Sequence, residues 1–276
     1  MQSGLASRSA MGSALLRASH AQQDPAPRVL EDSIAGRLVP EMERARLEAT
    51  ISGWLPEVRQ SLRLGHAVRA RLAEDTAVAG LSDGRRDYVL LGAGLDTFAW
   101  RHPRASDFCI WEVDHPDTQA WKRSALLNAG IAEAPNVRFL SADLASTALD
   151  DIGLPVRATW NWLGVTMYLS RAANELTLRS IASRQEGTTL IVDFVAATAE
   201  LDDLGRAVSA SASAAVAADQ EPIVADYTTS EVETLLHDVG FRTVTMLGAE
   251  TLHARYLNAH PALRLPRSTA LAVATV

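Results

Sequence analysis

The run Tyr88-Val-Leu-Leu-Gly-Ala-Gly-Leu-Asp-Thr97 constrains the fold of this chain more than any other segment. It reads as a buried strand, a glycine turn and a helix start. Glu112-Val-Asp114 then reads as the acidic end of a second strand. Open parallel sheets hold adenosine-containing cofactors with this arrangement. Gly92 and Gly94 allow a sharp turn and let a ligand approach bare backbone. Asp114 falls roughly 20 residues past the turn, where a carboxylate can accept hydrogen bonds from ribose hydroxyls.

A dinucleotide fingerprint needs a third glycine, so that the next helix packs closely while its N-terminus holds a pyrophosphate. Thr97 stands at that position, and Asp96 is expected in the first helical turn. A carboxylate there repels a pyrophosphate but is tolerated beside a cationic sulfonium. S-adenosylmethionine carries ribose and adenine without phosphate, so these residues favour it over NAD.

Five strand signals, near 88–91, 108–113, 137–141, 157–163 and 188–194, alternate with helical segments and imply right-handed crossovers in a parallel sheet. Residues 1–80 carry apolar residues at helical spacing and read as a helical N-terminal cap on a catalytic domain spanning 81–276, the two forming one unit. Residues 1–10 are expected to be loose. Pro116 suits a first helical turn, Gly130 the end of that helix, and Ser170 a helix cap. Ser230 to Glu233 reads as a capping box for a helix closing at Gly240. Arg242–Leu247 and Thr269–Val276 read as two last strands. The Ala- and Ser-rich stretch 196–218 reads either as a surface helix or as a movable lid, inserted at about 196–225.

The composition excludes several classes. With 47% hydrophobic and 21% charged residues, the 276-residue chain can bury a full core. A net charge of −7 gives no global attraction to nucleic acid or anionic membranes. No run reaches the length of a membrane span and the N-terminus lacks a secretory core, so the expected compartment is the cytoplasm. The single cysteine, Cys109, is expected as a buried structural thiol in the second strand. The seven histidines form no metal-type cluster, nucleophile elbow or triad in sequence, so neither a metal site nor a general base is assigned.

Leu91-Gly-Ala-Gly-Leu-Asp-Thr-Phe-Ala-Trp-Arg101 resembles the glycine motif of the leucine carboxyl methyltransferase-like family of class I methyltransferases. Glu112-Val-Asp-His-Pro116 with Lys122-Arg123, Asp143-Leu144, and Trp162-Leu-Gly-Val-Thr-Met-Tyr-Leu169 are similar to later family motifs, in the right order. Leu15-Leu-Arg17 and Arg69-Ala-Arg-Leu-Ala-Glu-Asp75 are also similar to family segments, so the resemblance runs from about residue 11 to Val276.

The resemblance implies an α/β fold, a seven-stranded Rossmann-like class I methyltransferase sheet whose last two strands are antiparallel. It implies S-adenosylmethionine as cofactor. Gly92, Ala93, Gly94 and Asp96 would then form the turn beneath the cofactor. Asp114 and His115 would lie on the adenosine side, and Asp143 and Leu144 beside adenine. Arg17 and Arg69 would hold the methionine carboxylate. Leu163 departs from the pattern, since many members carry Glu there, and that polar contact is missing or replaced. Met167 and Tyr168 are the candidates for the acceptor site. Each has a plainer alternative: a surface arginine, an aspartate helix cap, or apolar core packing. The expected reaction is methyl transfer to a small molecule. An oxygen acceptor, carboxylate or hydroxyl, in specialised metabolism is favoured over carbon or nitrogen methylation of an aromatic such as an indole. An NAD(P)-binding oxidoreductase and a non-catalytic nucleotide-binding protein are the readings from other classes.

Overall fold

The computed structural model describes residues 7–276. Four helices come first: α1 (Arg8–Gln23), α2 (Ser33–Arg37), α3 (Glu41–Ser52) and α4 (Pro56–Gly80). Strands and helices then alternate through β1 (Asp87–Leu91), α5 (Phe98–Arg101), β2 (Cys109–Asp114), α6 (Pro116–Asn128), β3 (Val137–Ser141), β4 (Thr159–Trp162), α7 (Arg171–Ala182) and β5 (Thr189–Val195). The chain ends with α8 (Asp203–Ala218), α9 (Thr229–Val239), β6 (Thr243–Leu247), α10 (Ala249–Tyr256) and β7 (Thr269–Thr275).

The strands form one seven-stranded sheet in the order β3-β2-β1-β4-β5-β7-β6. β1 to β5 pair in parallel, and β7 lies antiparallel between β5 and β6. This is the expected α/β sheet with its closing antiparallel strand. Strand order reverses between β1 and β4, and at such a point the crossovers leave in opposite directions and open a crevice above the strand ends.

Both faces of the sheet are covered, which explains why β4 and β5 are buried almost throughout. Val89, Leu91, Trp160, Trp162, Leu190 and Val192 pack on one side against α7 and α9, through Leu178, Ile181, Val232 and Leu236. On the other side Ile191 and Leu271 meet Leu64, Ala67, Val68 and Leu72 of α4. Tyr88 and Leu90 alternate to this second face and pack with Ala77 of α4, Phe98 and Phe108.

Pro116 opens α6, Gly130 follows it at φ +67°, and the Ser170 hydroxyl accepts from Ala173 N at 3.2 Å. Four local expectations need correction. The helix after the glycine turn is only four residues long, and Asp96 lies before its N-cap, Thr97, rather than in its first turn. There Asp96 Oδ1 accepts from Phe98 N at 2.8 Å. The capping box is Thr228 with Glu231, two residues earlier than Ser230 and Glu233. The shift has a cause: Tyr227 is held by backbone bonds to Val195 and Ala197, so Thr228 is the first residue free to cap. Residues 8–10 are helical, with the Ser7 hydroxyl accepting from Ala10 N at 3.1 Å, while residues 1–6 of the expected loose terminus lie outside the described residues. Cys109 begins β2 and is half-buried rather than buried.

The N-terminal helices are joined to the sheet by a buried carboxylate that sequence spacing does not single out. Asp32, fully buried, accepts from Arg17 Nε at 2.9 Å, from the Thr97 hydroxyl at 2.6 Å and from Ala35 N at 3.1 Å. Arg101 Nε stands 3.5 Å away, and the same guanidinium donates from Nη1 to Glu74 Oε2 of α4 at 3.1 Å. Burial alone raises the Asp32 carboxyl, but Arg17, Arg101 and the Thr97 hydroxyl outweigh it and hold it below the usual carboxylate range.

Asp32→Ala strands the mostly buried Arg17 cation and leaves Arg101 to Glu74 alone, and it is expected to cost about 3–5 kcal/mol by denaturant titration. The wild-type contribution is present above the unfolded-state pKa of about 3.9 and is lost as pH falls through the lower folded value. A stability loss unchanged between neutral and strongly acid pH contradicts this role.

Candidate cofactor and acceptor site

The crevice between β1 and β4 opens into a cavity of about 630 Å³. Arg17, Arg69, Gly92, Ala93, Gly94, Asp96, Asp114, His115, Asp143, Leu144, Leu163, Met167 and Tyr168 all line it. The residues singled out in the sequence are therefore neighbours in space, although they come from α1, α4 and four strand ends.

The glycine turn is shaped by the protein itself. Gly92 N and Ala93 N both donate to Val113 O, at 2.8 and 3.2 Å, fastening the turn to β2. Gly92 has φ +65°, and a Cβ there would lie 2.3 Å from Val165 Cγ2. Gly94, at φ +49°, would place a Cβ 3.2 Å from that of Ala10. A side chain at Gly92 therefore disturbs packing before it disturbs any ligand, which makes Gly94 the cleaner probe of ligand approach. Gly94 N donates to Asp114 Oδ2 at 2.5 Å, and His115 N to Oδ1 at 2.7 Å. Burial pushes the Asp114 carboxyl up and these two N–H groups pull it back. Each oxygen keeps further lone-pair capacity for hydroxyl donors. His115 caps α6, its Nδ1 accepting from Asp117 N at 3.3 Å.

Asp143 caps a turn rather than a helix and stands at the cavity wall. It lines the cavity, yet Oδ1 accepts from Ala145 N at 3.0 Å and Oδ2 from the Ser146 hydroxyl at 3.3 Å. Leu144 is half-buried and packs against the main core.

At the other end Arg69 Nη1 donates to Asp193 Oδ2 at 2.7 Å, while Gly164 N donates to Oδ1 at 2.7 Å. Asp193 is fully buried in β5 and was not identified from sequence. Its one signal there is a lone charge inside the apolar run Leu190-Ile-Val-Asp-Phe-Val195. Arg17 is also committed, to Asp32 and, through Nη2, to Leu95 O at 2.6 Å. Leu163 stands half-buried against the α4 cluster. Of the six tryptophans, Trp160 and Trp162 are fully buried core, whereas Trp54 lines the cavity.

The roof is α8. Leu204 and Val208 bury it against the protein, and Val208, Ser209, Ala212, Ala215 and Val216 face the cavity. Its far end is tied down: Asp219 accepts from Arg46 at 2.9 and 3.2 Å, and Glu221 accepts from Ser9 N at 3.1 Å. Met167 O accepts from Val224 N at 2.8 Å, which joins the segment after α8 to the loop after β4. Burial pushes the Tyr168 phenol up.

His66 of α4 also lines this space and was not assigned from sequence. Its Nδ1 lies 2.8 Å from Leu62 O. Burial, and then the Arg69 cation, hold its pKa well below the usual histidine value. The available signal was its i, i+3 spacing to Arg69, which puts both on one helix face. Among the described residues no group of His, Cys, Asp and Glu is placed to hold a metal ion, and no helix is long and apolar enough to cross a membrane.

Comparisons with known proteins bear on the family and the fold. The family described as leucine carboxyl methyltransferase matches residues 10–182. A candidate S-adenosyl-L-methionine-dependent methyltransferase of Bacillus subtilis is 28% identical over 270 residues, covering 87% of this chain and 88% of that protein. One of Mycolicibacterium gilvum is 32% identical over 153 residues, 53% of this chain and 50% of that protein. The crystal structure of a DUF574 family protein of Streptomyces avermitilis superposes with a TM-score of 0.59 at 17% identity, covering 97% and 96% of the two chains, which speaks to the fold. The chain belongs to the leucine carboxyl methyltransferase family and is an S-adenosylmethionine-dependent methyltransferase.

Proposed function

We propose that the protein methylates a small molecule at oxygen, as a cytoplasmic enzyme of specialised metabolism. The observation that carries this reading is the single cavity of about 630 Å³ running from the glycine turn to the roof helix. Small-ligand sites span about 300–1,000 Å³, so a cofactor and a compact acceptor can share the space. S-adenosylmethionine, when bound, supplies an electrophilic methyl group on a sulfonium.

The donor set suits that cofactor. Asp114 offers acceptor oxygens to ribose hydroxyls at the end of β2. Asp143 and Leu144 would flank adenine, one accepting from its amino group and the other giving apolar contact. Arg69 would hold the methionine carboxylate, since only one edge of its guanidinium is taken, by Asp193. Arg17 is tied on two sides and would contribute mainly charge. Gly94 leaves backbone bare, and Asp96 and His115 would border the adenosine half. Leu163 would offer only apolar contact. Met167 and Tyr168 would face the acceptor beneath a lid formed by α8. Methylation at carbon or nitrogen of an aromatic acceptor is the second reading, favoured by Trp54 in the cavity wall. Profiling with labelled S-adenosylmethionine against acids, phenols and indoles tests the acceptor class; transfer to none of them, by a protein that binds the cofactor, rejects the small-molecule reading.

Asp114→Ala is expected to weaken S-adenosylmethionine binding by about 1–3 kcal/mol in calorimetry, the cost of leaving polar partners unsatisfied. Asp143→Asn should cost less than Asp143→Ala, because an amide oxygen still accepts; equal affinities in all three proteins would remove adenine from that corner. For the roof, amide exchange across 203–218 should be fast in the free enzyme and slow once S-adenosylhomocysteine and acceptor are bound. Equal protection in both states makes α8 a fixed wall.

A further inference from the structure

We propose that His66 receives the acceptor's proton, and that the acceptor is an apolar, ring-sized molecule carrying a hydroxyl rather than a carboxylate. This rests on the reading of the cavity as a shared seat for cofactor and acceptor, and chooses a substrate class within it.

The geometry of His66 fits a base. A carbonyl oxygen only accepts, so the 2.8 Å contact to Leu62 O places the proton of the neutral ring on Nδ1. Nε2 is then left with its lone pair, and it has no hydrogen-bond partner among the described residues. His66 lies three residues before Arg69 on the cavity face of α4, with Cβ atoms of such pairs about 5–6 Å apart. If Arg69 holds the methionine carboxylate, the imidazole stands one helical step away, towards Trp54 and α8. Burial and the Arg69 and Arg17 cations keep the free ring neutral, the form that accepts a proton.

Other groups on the walls are less suited. Burial pushes the Tyr168 phenol up, so it stays protonated and is no base. Asp219 is engaged by Arg8 and Arg46, and Glu221 by Ser7 and Ser9. Asp193, on the sheet side, is held by Arg69 and Gly164 N.

The charge pattern selects against a carboxylate acceptor. Of the arginines that line the cavity, Arg8 is paired with Asp219 and Arg17 with Asp32, and the edge of Arg69 that Asp193 leaves is assigned to the methionine carboxylate. Glu221, held by the Ser7 hydroxyl and Ser9 N rather than by a cation, lines the same space and repels a second anion. Leu16, Ile51, Trp54, Leu62 and Val208 supply the apolar wall. In the transfer, an oxygen lone pair forms the new bond to the methyl carbon. The carbon–sulfur bond breaks with its electron pair going to sulfur, and the hydroxyl proton passes to His66 Nε2. One positive charge leaves the sulfonium as one appears on the imidazolium, so the net charge of the cavity is unchanged. Solvent takes the proton after the ether departs.

The test uses the full chain saturated with S-adenosylhomocysteine, with 2-naphthol and 2-naphthoate as matched probes in calorimetry. Wild-type protein should bind 2-naphthol at least roughly tenfold more tightly than 2-naphthoate, about the worth of one hydrogen bond plus one repelled charge. His66→Phe should lose that preference while keeping its affinity for S-adenosylhomocysteine. In wild-type protein, ¹⁵N resonances of His66 should report the Nδ1–H tautomer and a shift at Nε2 when 2-naphthol binds, a readout independent of whether the variant folds. Equal binding of the two probes, tighter 2-naphthoate, a preference retained in His66→Phe, or an unmoved Nε2 resonance each overturns the proposal. Failure of wild-type protein to bind S-adenosylhomocysteine instead overturns the cofactor reading beneath it.

Discussion

The Asp32 carboxylate, with Arg17, Thr97 and Arg101 around it, determines where the N-terminal helices sit against the glycine turn. Arg101 extends the contact to Glu74, so one line of charge and hydrogen bonds links α1, α2, α4 and α5. Ions so far from water are costly to bury and persist only when every partner is present. The cavity wall formed by α1 and α4 inherits its position from this junction, and with it the placement of Arg17, His66 and Arg69. It also accounts for the missing third glycine: the Thr97 hydroxyl is what reaches Asp32, a contact glycine cannot make.

Sequence patterning carried the features with a short period or a local cause. The β1 turn, the acidic end of β2, the crossovers and the closing antiparallel strands all follow from alternation of apolar residues and from turn chemistry. Local signals failed where tertiary contacts decide. The capping box moved to Thr228 because Tyr227 is pinned by β5 and the segment after it, which no nearby residue announces. Asp32 and Asp193 gain their roles from partners 65 and 124 residues away along the chain, Thr97 and Arg69. Spacing along the chain carries no record of such encounters. Cys109 stayed half-buried because it stands at the first residue of its strand.

The stretch of alanine and serine read as surface helix or lid forms α8, which roofs the cavity. Leu204 and Val208 give α8 a modest buried stripe, and its small residues turn towards the cavity. Small side chains contribute little packing energy and occupy little volume. The same substitutions that weaken the attachment of the helix therefore enlarge the space beneath it, and ion pairs at Asp219 hold the end that apolar contacts do not.

The two walls of the crevice have different origins in the chain. Strand ends and their loops form one wall, and their geometry is locked to sheet register through the fastening of Gly92 and Ala93 to Val113. α1, α3, α4 and α8 form the other, and none of them contributes a strand. Apart from Arg17, His66 and Arg69, side chains on the helical wall can be exchanged without moving a single ladder hydrogen bond. On the proposed reading, selection can rewrite what the enzyme methylates while leaving untouched how it captures the methyl donor.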